Sequence, residues 1–249
     1  MTEHRGQVRV EQSHKRVRAY LGGELVFDTI RPSLVWEIPH YPAYYIPIGD
    51  VVAKLDATDT VTHSPSRGDA QHFTVRTSRG EAVAGAWRYP DSPLEAIRDL
   101  VRFDWAAMDS WFEEDEQVIV HPRSPYSRVD TIASSRHVRV LIDGEVVADS
   151  TRPVLLFETG LPTRYYVPQT DVRLDLLTPT DTVTQCPYKG TARYWSVRVG
   201  GNEHADAVWS YPTPLPESIK VAGLMSFYNE HVDIEVDGVL QDRPHTPFS

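Results

Sequence analysis

The chain has 249 residues, with 25 Lys and Arg against 35 Asp and Glu, a formal net charge of −10 at pH 7. An acidic surface repels phosphate backbones and anionic bilayers, so neither nucleic acid nor a membrane is an expected partner. One cysteine excludes an intrachain disulfide and a cysteine-rich zinc site, and 41% apolar residues suffice for one large or two small cores. The opening "MTEHRGQVRV" lacks the apolar core of a secretory signal, and no apolar run nears the roughly 18 residues of a membrane span. The expected location is the cytoplasm.

Read in order, the chain writes one pattern twice. "RVRAYLGGELVFDTIRP" from Arg16 returns as "HVRVLIDGEVVADSTRP" from His137, at an offset of 121 residues (Val17 to Val138). The match runs on through Glu37/Glu158, Tyr44/Tyr165, Tyr45/Tyr166, Pro47/Pro168 and Asp50/Asp171. It then slips by one: "TDTVTHSPSRG" aligns with "TDTVTQCPYKG", which pairs Ser64 with Cys186, and Trp87 pairs with Trp209 and Tyr89 with Tyr211. A repeat this long is a duplicated domain. The copies divide as residues 1–125 and 126–249, with a boundary in the Pro-containing stretch from His121 to Asp130.

Each copy opens on a hairpin, with alternating apolar residues around Gly22-Gly23 and around Asp143-Gly144. Short strands follow, including "SLVWEI", "AYYIP" and "HFTVRT" and their counterparts, punctuated by Pro and Gly. Leu94, Ile97, Val101, Trp105, Met108 and Phe112 recur at spacings of three and four. That period predicts a helix from about Pro93, and a weaker copy in Ile219, Ala222, Met225 and Val232 predicts one from about Leu215. The fold expected is mainly β, two tandem domains with one main α-helix each.

"YYVPQTDVRLDLL", "TQCPYKGTARYWSV" and "VWSYPTPLPE" together resemble the domain of unknown function 427 family, also catalogued as nucleotidyltransferase-like. The resemblance spans essentially the whole chain as a tandem pair. It implies a small coiled-sheet, Mss4-like β-tent fold and no settled activity. Two departures from the pattern carry weight. The paired Cys-x-x-Cys motifs that hold a structural zinc in many Mss4-like domains are missing. So are the Gly-Ser and the paired aspartates that a metal-dependent nucleotidyl transfer requires. No metal and no cofactor is therefore expected.

Cys186 leaves two readings open. As a nucleophile it needs its thiolate, which a nearby Lys189 ammonium would favour, with Tyr188 and Trp195 as walls and Glu158 or Asp171 handling protons. As a structural residue it is a small hydrophobe in a turn. The first copy carries Ser64, Ser66 and Arg67 where the second has Cys186, Tyr188 and Lys189, so the turn itself requires neither the thiol nor the ring. Arg152 with Glu158 could bind a polar ligand or form a structural pair. Tyr165, Tyr166, Trp209 and Tyr211 complete the candidate ligand-binding set; Trp209 has a core-packing alternative, whereas Tyr211 carries a hydroxyl that needs a partner. The expectation is a small-molecule-binding protein with its chemistry, if any, at Cys186 in the second copy. A non-catalytic ligand- or partner-binding module is the alternative.

Overall fold

The computed structural model describes residues 8–246, which divide between Ser124 and Pro125 into two compact units. The first unit begins with β1 (Arg9–Gln12), β2 (Val17–Leu21), β3 (Glu24–Thr29), β4 (Ser33–Trp36) and β5 (Ala43–Pro47). It continues with β6 (Lys54–Ser64), β7 (Gly68–Arg76), β8 (Glu81–Arg88), β9 (Leu100–Phe103), β10 (Ser110–Glu113) and β11 (Glu116–Val118). These strands form two antiparallel sheets, of order β1-β4-β5-β9-β8-β7-β6 and β11-β10-β2-β3.

The second unit contains β12 (Val129–Ala133), β13 (Val138–Ile142), β14 (Glu145–Ser150), β15 (Val154–Glu158), β16 (Arg164–Tyr166) and β17 (Leu177–Cys186). After them come β18 (Gly190–Val199), β19 (Asn202–Ser210), β20 (Met225–Phe227), β21 (Asp233–Val236) and β22 (Val239–Leu240). Its sheets run β12-β15-β16, β17-β18-β19-β20 and β14-β13-β21-β22. A single bridge, Val167 to Met225, joins the first two into the counterpart of the seven-stranded sheet.

The repetition extends to the register. Val17 faces Thr29 as Val138 faces Ser150, and both hairpins carry an irregularity at the same place, after Ala19 and after Val140. The long hairpins repeat theirs between Ala57 and Val61 and between Pro179 and Val183. A bulge re-aims every side chain beyond it, so two chains that share bulge positions share inward and outward faces. In each unit the larger sheet packs a core on both faces. Tyr44 joins the cluster of Val17, Phe27 and Phe103, while the next residue, Tyr45, joins that of Val35, Tyr89 and Ile97. Tyr165 and Tyr166 divide in the same way.

The expected α-helices are replaced by other structure. In the first unit the periodic residues are spread over a 3-10 turn at Glu95–Ile97, strand β9, a second 3-10 turn at Trp105–Ala107 and strand β10. The apolar spacing suited a helix, but β9 lies between β5 and β8, where sheet hydrogen bonds and burial on both faces outweigh it. Asp104 ends any helical path, since its side chain accepts from the Ala106 amide and its own amide donates to the Gly85 carbonyl. The second unit keeps a six-residue 3-10 segment, Pro216–Val221, where a helix was expected, and then Met225 enters β20. Among the described residues no helix is long and apolar enough to cross a membrane.

The Gly22-Gly23 turn has positive φ at both residues. A Cβ on Gly22 would stand 2.6 Å from the Arg79 backbone, whereas one on Gly23 would meet nothing within 4 Å. Gly22→Ala should therefore cost more than Gly23→Ala, about 2 kcal/mol against about 1 kcal/mol, measured by urea unfolding.

Candidate functional site

Cys186 ends β17 and pairs across the turn with Gly190, the first residue of β18. Gly190 holds a φ of 99°, and the Lys189 amide donates to the Cys186 carbonyl, so the CPYKG segment is a tight turn with its thiol half-buried. Lys189 turns away from solvent and donates to Glu158 at the end of β15; both side chains are only about a tenth exposed. The ammonium expected to support a thiolate is therefore already neutralised by a carboxylate. Burial raises the Tyr211 hydroxyl far above its ordinary value, and Tyr166, Cys186, Tyr194 and Glu158 add to the rise. Cys186 and Glu158 thus both lie in electrostatic range of Tyr166 and Tyr211. Tyr188 follows the thiol, half-buried, and its carbonyl accepts from the Ser218 hydroxyl.

Other candidates fall elsewhere. Arg152 pairs with Asp171 at 2.8 Å, and not with Glu158. Hydrogen bonds from Arg152, and more weakly from Ser150 and Thr170, hold the Asp171 carboxyl at about 2 against its partial desolvation. The first unit repeats this clasp with Arg31, Thr29 and Asp50, which ties one turn to the next in both copies. Tyr165 and Trp195 pack against the opposite face of the sheet from Tyr166 and Tyr194, because neighbours along a strand point to opposite sides. Trp209 and Tyr211 are core residues, and the Trp209 indole donates to the Tyr166 hydroxyl at 3.0 Å. Among the described residues no group of three or more His, Cys, Asp or Glu could hold a metal ion.

The first unit contains a cavity of about 280 Å³ that the sequence did not suggest. Glu37, Tyr41, Ala43, Tyr44, Arg102, Phe103, Trp105, Trp111 and His121 are among its walls. Trp105 and Trp111 stack in parallel at 4.6 Å, and Tyr41 stacks on His121 at 3.7 Å. Burial pushes the His121 imidazole down, against a hydrogen bond to the Pro122 carbonyl, so the ring is neutral at pH 7. Glu37 accepts from the Tyr45 hydroxyl at 2.6 Å and lies 3.7 Å from Arg102. Arg102 itself lies over the Trp87 ring at 4.6 Å and donates to the Phe103 carbonyl. Its Nε is buried without a hydrogen-bond partner. The signal that could have found this site was the Trp105 and Trp111 pair, which has no aromatic counterpart in the second copy; the helical reading absorbed it.

The second unit differs at the same place. Leu156 faces Arg164 in the register in which Val35 faces Ala43, so an arginine replaces the small residue of the cavity wall. Arg164 makes two hydrogen bonds to Glu230, at 2.6 and 2.7 Å, and covers the rings of Trp209 and Tyr228. Ile234 occupies the register position of Trp111, and Ser226 that of Arg102. A buried ion pair and an aliphatic side chain thus take the positions that line the cavity in the first copy.

A sequence model of the family described as a domain of unknown function (DUF427) matches residues 9–114 and 130–238. The chain belongs to this family and carries its domain twice. No curated protein matches the chain.

The Arg164–Glu230 pair supports an acid-stability prediction. Burial alone would raise the Glu230 carboxyl, but hydrogen bonds from Arg164 and Thr246 overcome it and lower the group to about 2. A depressed folded value gives stability that is complete above the unfolded value of roughly 4.3 and is lost as pH falls toward 2. Thermal melts across that window should show this loss for the native chain and a flatter profile for Glu230→Gln. At neutral pH that variant should lose about 3–5 kcal/mol, because it leaves the guanidinium buried without its counter-charge.

Proposed function

We propose that the protein binds a small molecule and that the aromatic cavity of the first unit is the binding site. The observation that carries this is the wall itself: two pairs of stacked aromatic rings, with one carboxylate and one guanidinium among the lining groups. Ligand sites have this make-up, mostly apolar and aromatic with a few placed polar groups, and they start near roughly 300 Å³. In the second unit Arg164 and Glu230 stand in the equivalent place. The net charge of −10 argues against nucleic acid and anionic membranes as partners, and a cytoplasmic location belongs to the same proposal.

A second reading keeps thiol chemistry in the second unit. It is favoured by the half-buried Cys186, which like Glu158 lies in electrostatic range of Tyr166 and Tyr211. With Asp171 held by Arg152, any proton transfer there falls to Glu158, which must first release Lys189. Alkylation separates the two readings. Under the binding reading, Cys186 reacts with iodoacetamide no faster than a free thiol at pH 7, and Lys189→Met leaves the rate unchanged. Fast modification that slows in Lys189→Met supports the enzyme.

Screening metabolites by thermal shift tests the binding reading directly. A ligand present at a hundredfold its Kd should raise stability by about 2.7 kcal/mol. Trp105→Ala, which removes a half-buried wall of the cavity, should abolish the shift, while Cys186→Ser should leave it intact. A shift that survives Trp105→Ala but is lost in Cys186→Ser would move the site to the second unit.

A further inference from the structure

The wall of the first unit's cavity also defines what fits it, and this step rests on the binding reading above. We infer that the cavity takes a small, net-neutral molecule with one flat aromatic ring and, at one end, a hydrogen-bond donor beside an acceptor.

The ring follows from the walls. Trp105 lies parallel to Trp111, within 4°, and covers its face, with Tyr44 packed beside both. Trp111 and Tyr44 are buried, so the half-buried Trp105 is the ring of this cluster with surface left for a ligand. The Tyr41–His121 stack forms a second aromatic wall. Flat rings gain on such surfaces through offset or edge contacts that a puckered ring cannot make.

The polar end follows from Glu37 and Arg102. They are the charged groups in the wall, and with His121 neutral they carry one charge of each sign, while Arg67, outside the wall, lies in coulombic reach of Glu37. At 3.7 Å they are too far apart for a hydrogen bond, and each side chain is about a fifth exposed. The Arg102 Nε is enclosed beside Glu37 without a hydrogen bond, so a ligand meets Arg102 through the fifth of its side chain that stays exposed. A ligand donor set against Glu37 with an acceptor against Arg102 matches the pair. A ligand with a full net charge would leave one of the two facing its own sign. Two sources share this chemistry: the ammonium and carboxylate of an aromatic α-amino acid, and the adjacent N–H and ring-nitrogen edge of a nucleobase.

Saturation-transfer NMR on the full chain distinguishes them, with L-phenylalanine and adenine as the two arms. Cyclohexylalanine (no flat ring), benzoate (net negative) and phenethylamine (net positive) are the controls. At least one arm should bind, and every control should bind at least tenfold more weakly. Trp105→Ala should weaken the bound arm at least tenfold, and Ala43→Phe, which fills the cavity from β5, serves as the independent check. Glu37→Gln should weaken L-phenylalanine more than adenine, because only the amino acid brings a cation to the carboxylate. Cyclohexylalanine, benzoate or phenethylamine binding as tightly as either arm would overturn the ligand class while leaving small-molecule binding in place. The class also fails if neither arm binds at millimolar concentration. If the thermal-shift screen is empty as well, the binding reading falls with it.

Discussion

Each unit draws a glutamate in beside an enclosed tyrosine, and a carboxylate held there needs a cation. Glu37 takes the Tyr45 hydroxyl and stands near Arg102; Glu158 takes Lys189. Much of the difference between the copies follows from that choice. Where the cation is Lys189, the turn after Cys186 is tied to the end of β15 and the thiol loses its supporting charge. Where it is Arg102, the turn's own cation, Arg67, stays in coulombic reach of Glu37 but donates to the Tyr89 hydroxyl at 3.3 Å instead of to the carboxylate.

A second demand is shared. The indole of Trp87 or Trp209 is covered by a guanidinium in both units, by Arg102 from β9 in one and by Arg164 from β16 in the other. The long, planar side chain provides apolar contact and charge together, which suits a position at the edge of a core. Moving it one strand over leaves Ala43 small in the first unit, where it is part of the cavity wall.

The duplication, the hairpins and the family were legible because they rest on local pattern: an offset, an alternation, a turn dipeptide. The helices were misread because Leu94 to Phe112 satisfies a helical period while its backbone hydrogen bonds go to β5, β8 and β2. Pairing of that kind is set by residues far away in sequence. The candidate site was legible in part. Cys186, Lys189 and Glu158 do converge on one corner, but the pairing of Arg152 with Asp171 could not be read from spacing. Nor could the division of Tyr165 and Trp195 from Tyr166 and Tyr194 be assigned before the bulges fixed which face each strand presents. The cavity was missed because its sequence signal, Trp105 and Trp111, also fitted the helical period, and the small Ala43 in its wall gives no motif.

The placement of Arg102 and Arg164 on different strands also bears on the gene. Tandem copies as alike as these invite exchange between them, and a crossover between the β5 and β9 segments would produce two kinds of hybrid. One would carry Ala43 with Ser226 and leave its tryptophan without the guanidinium that covers it in both native copies. The other would carry Arg164 with Arg102 and crowd two guanidinium groups onto one indole. Each hybrid would give up the one-guanidinium, one-indole arrangement that both native copies keep, a cost that favours inheriting the two halves of a copy together.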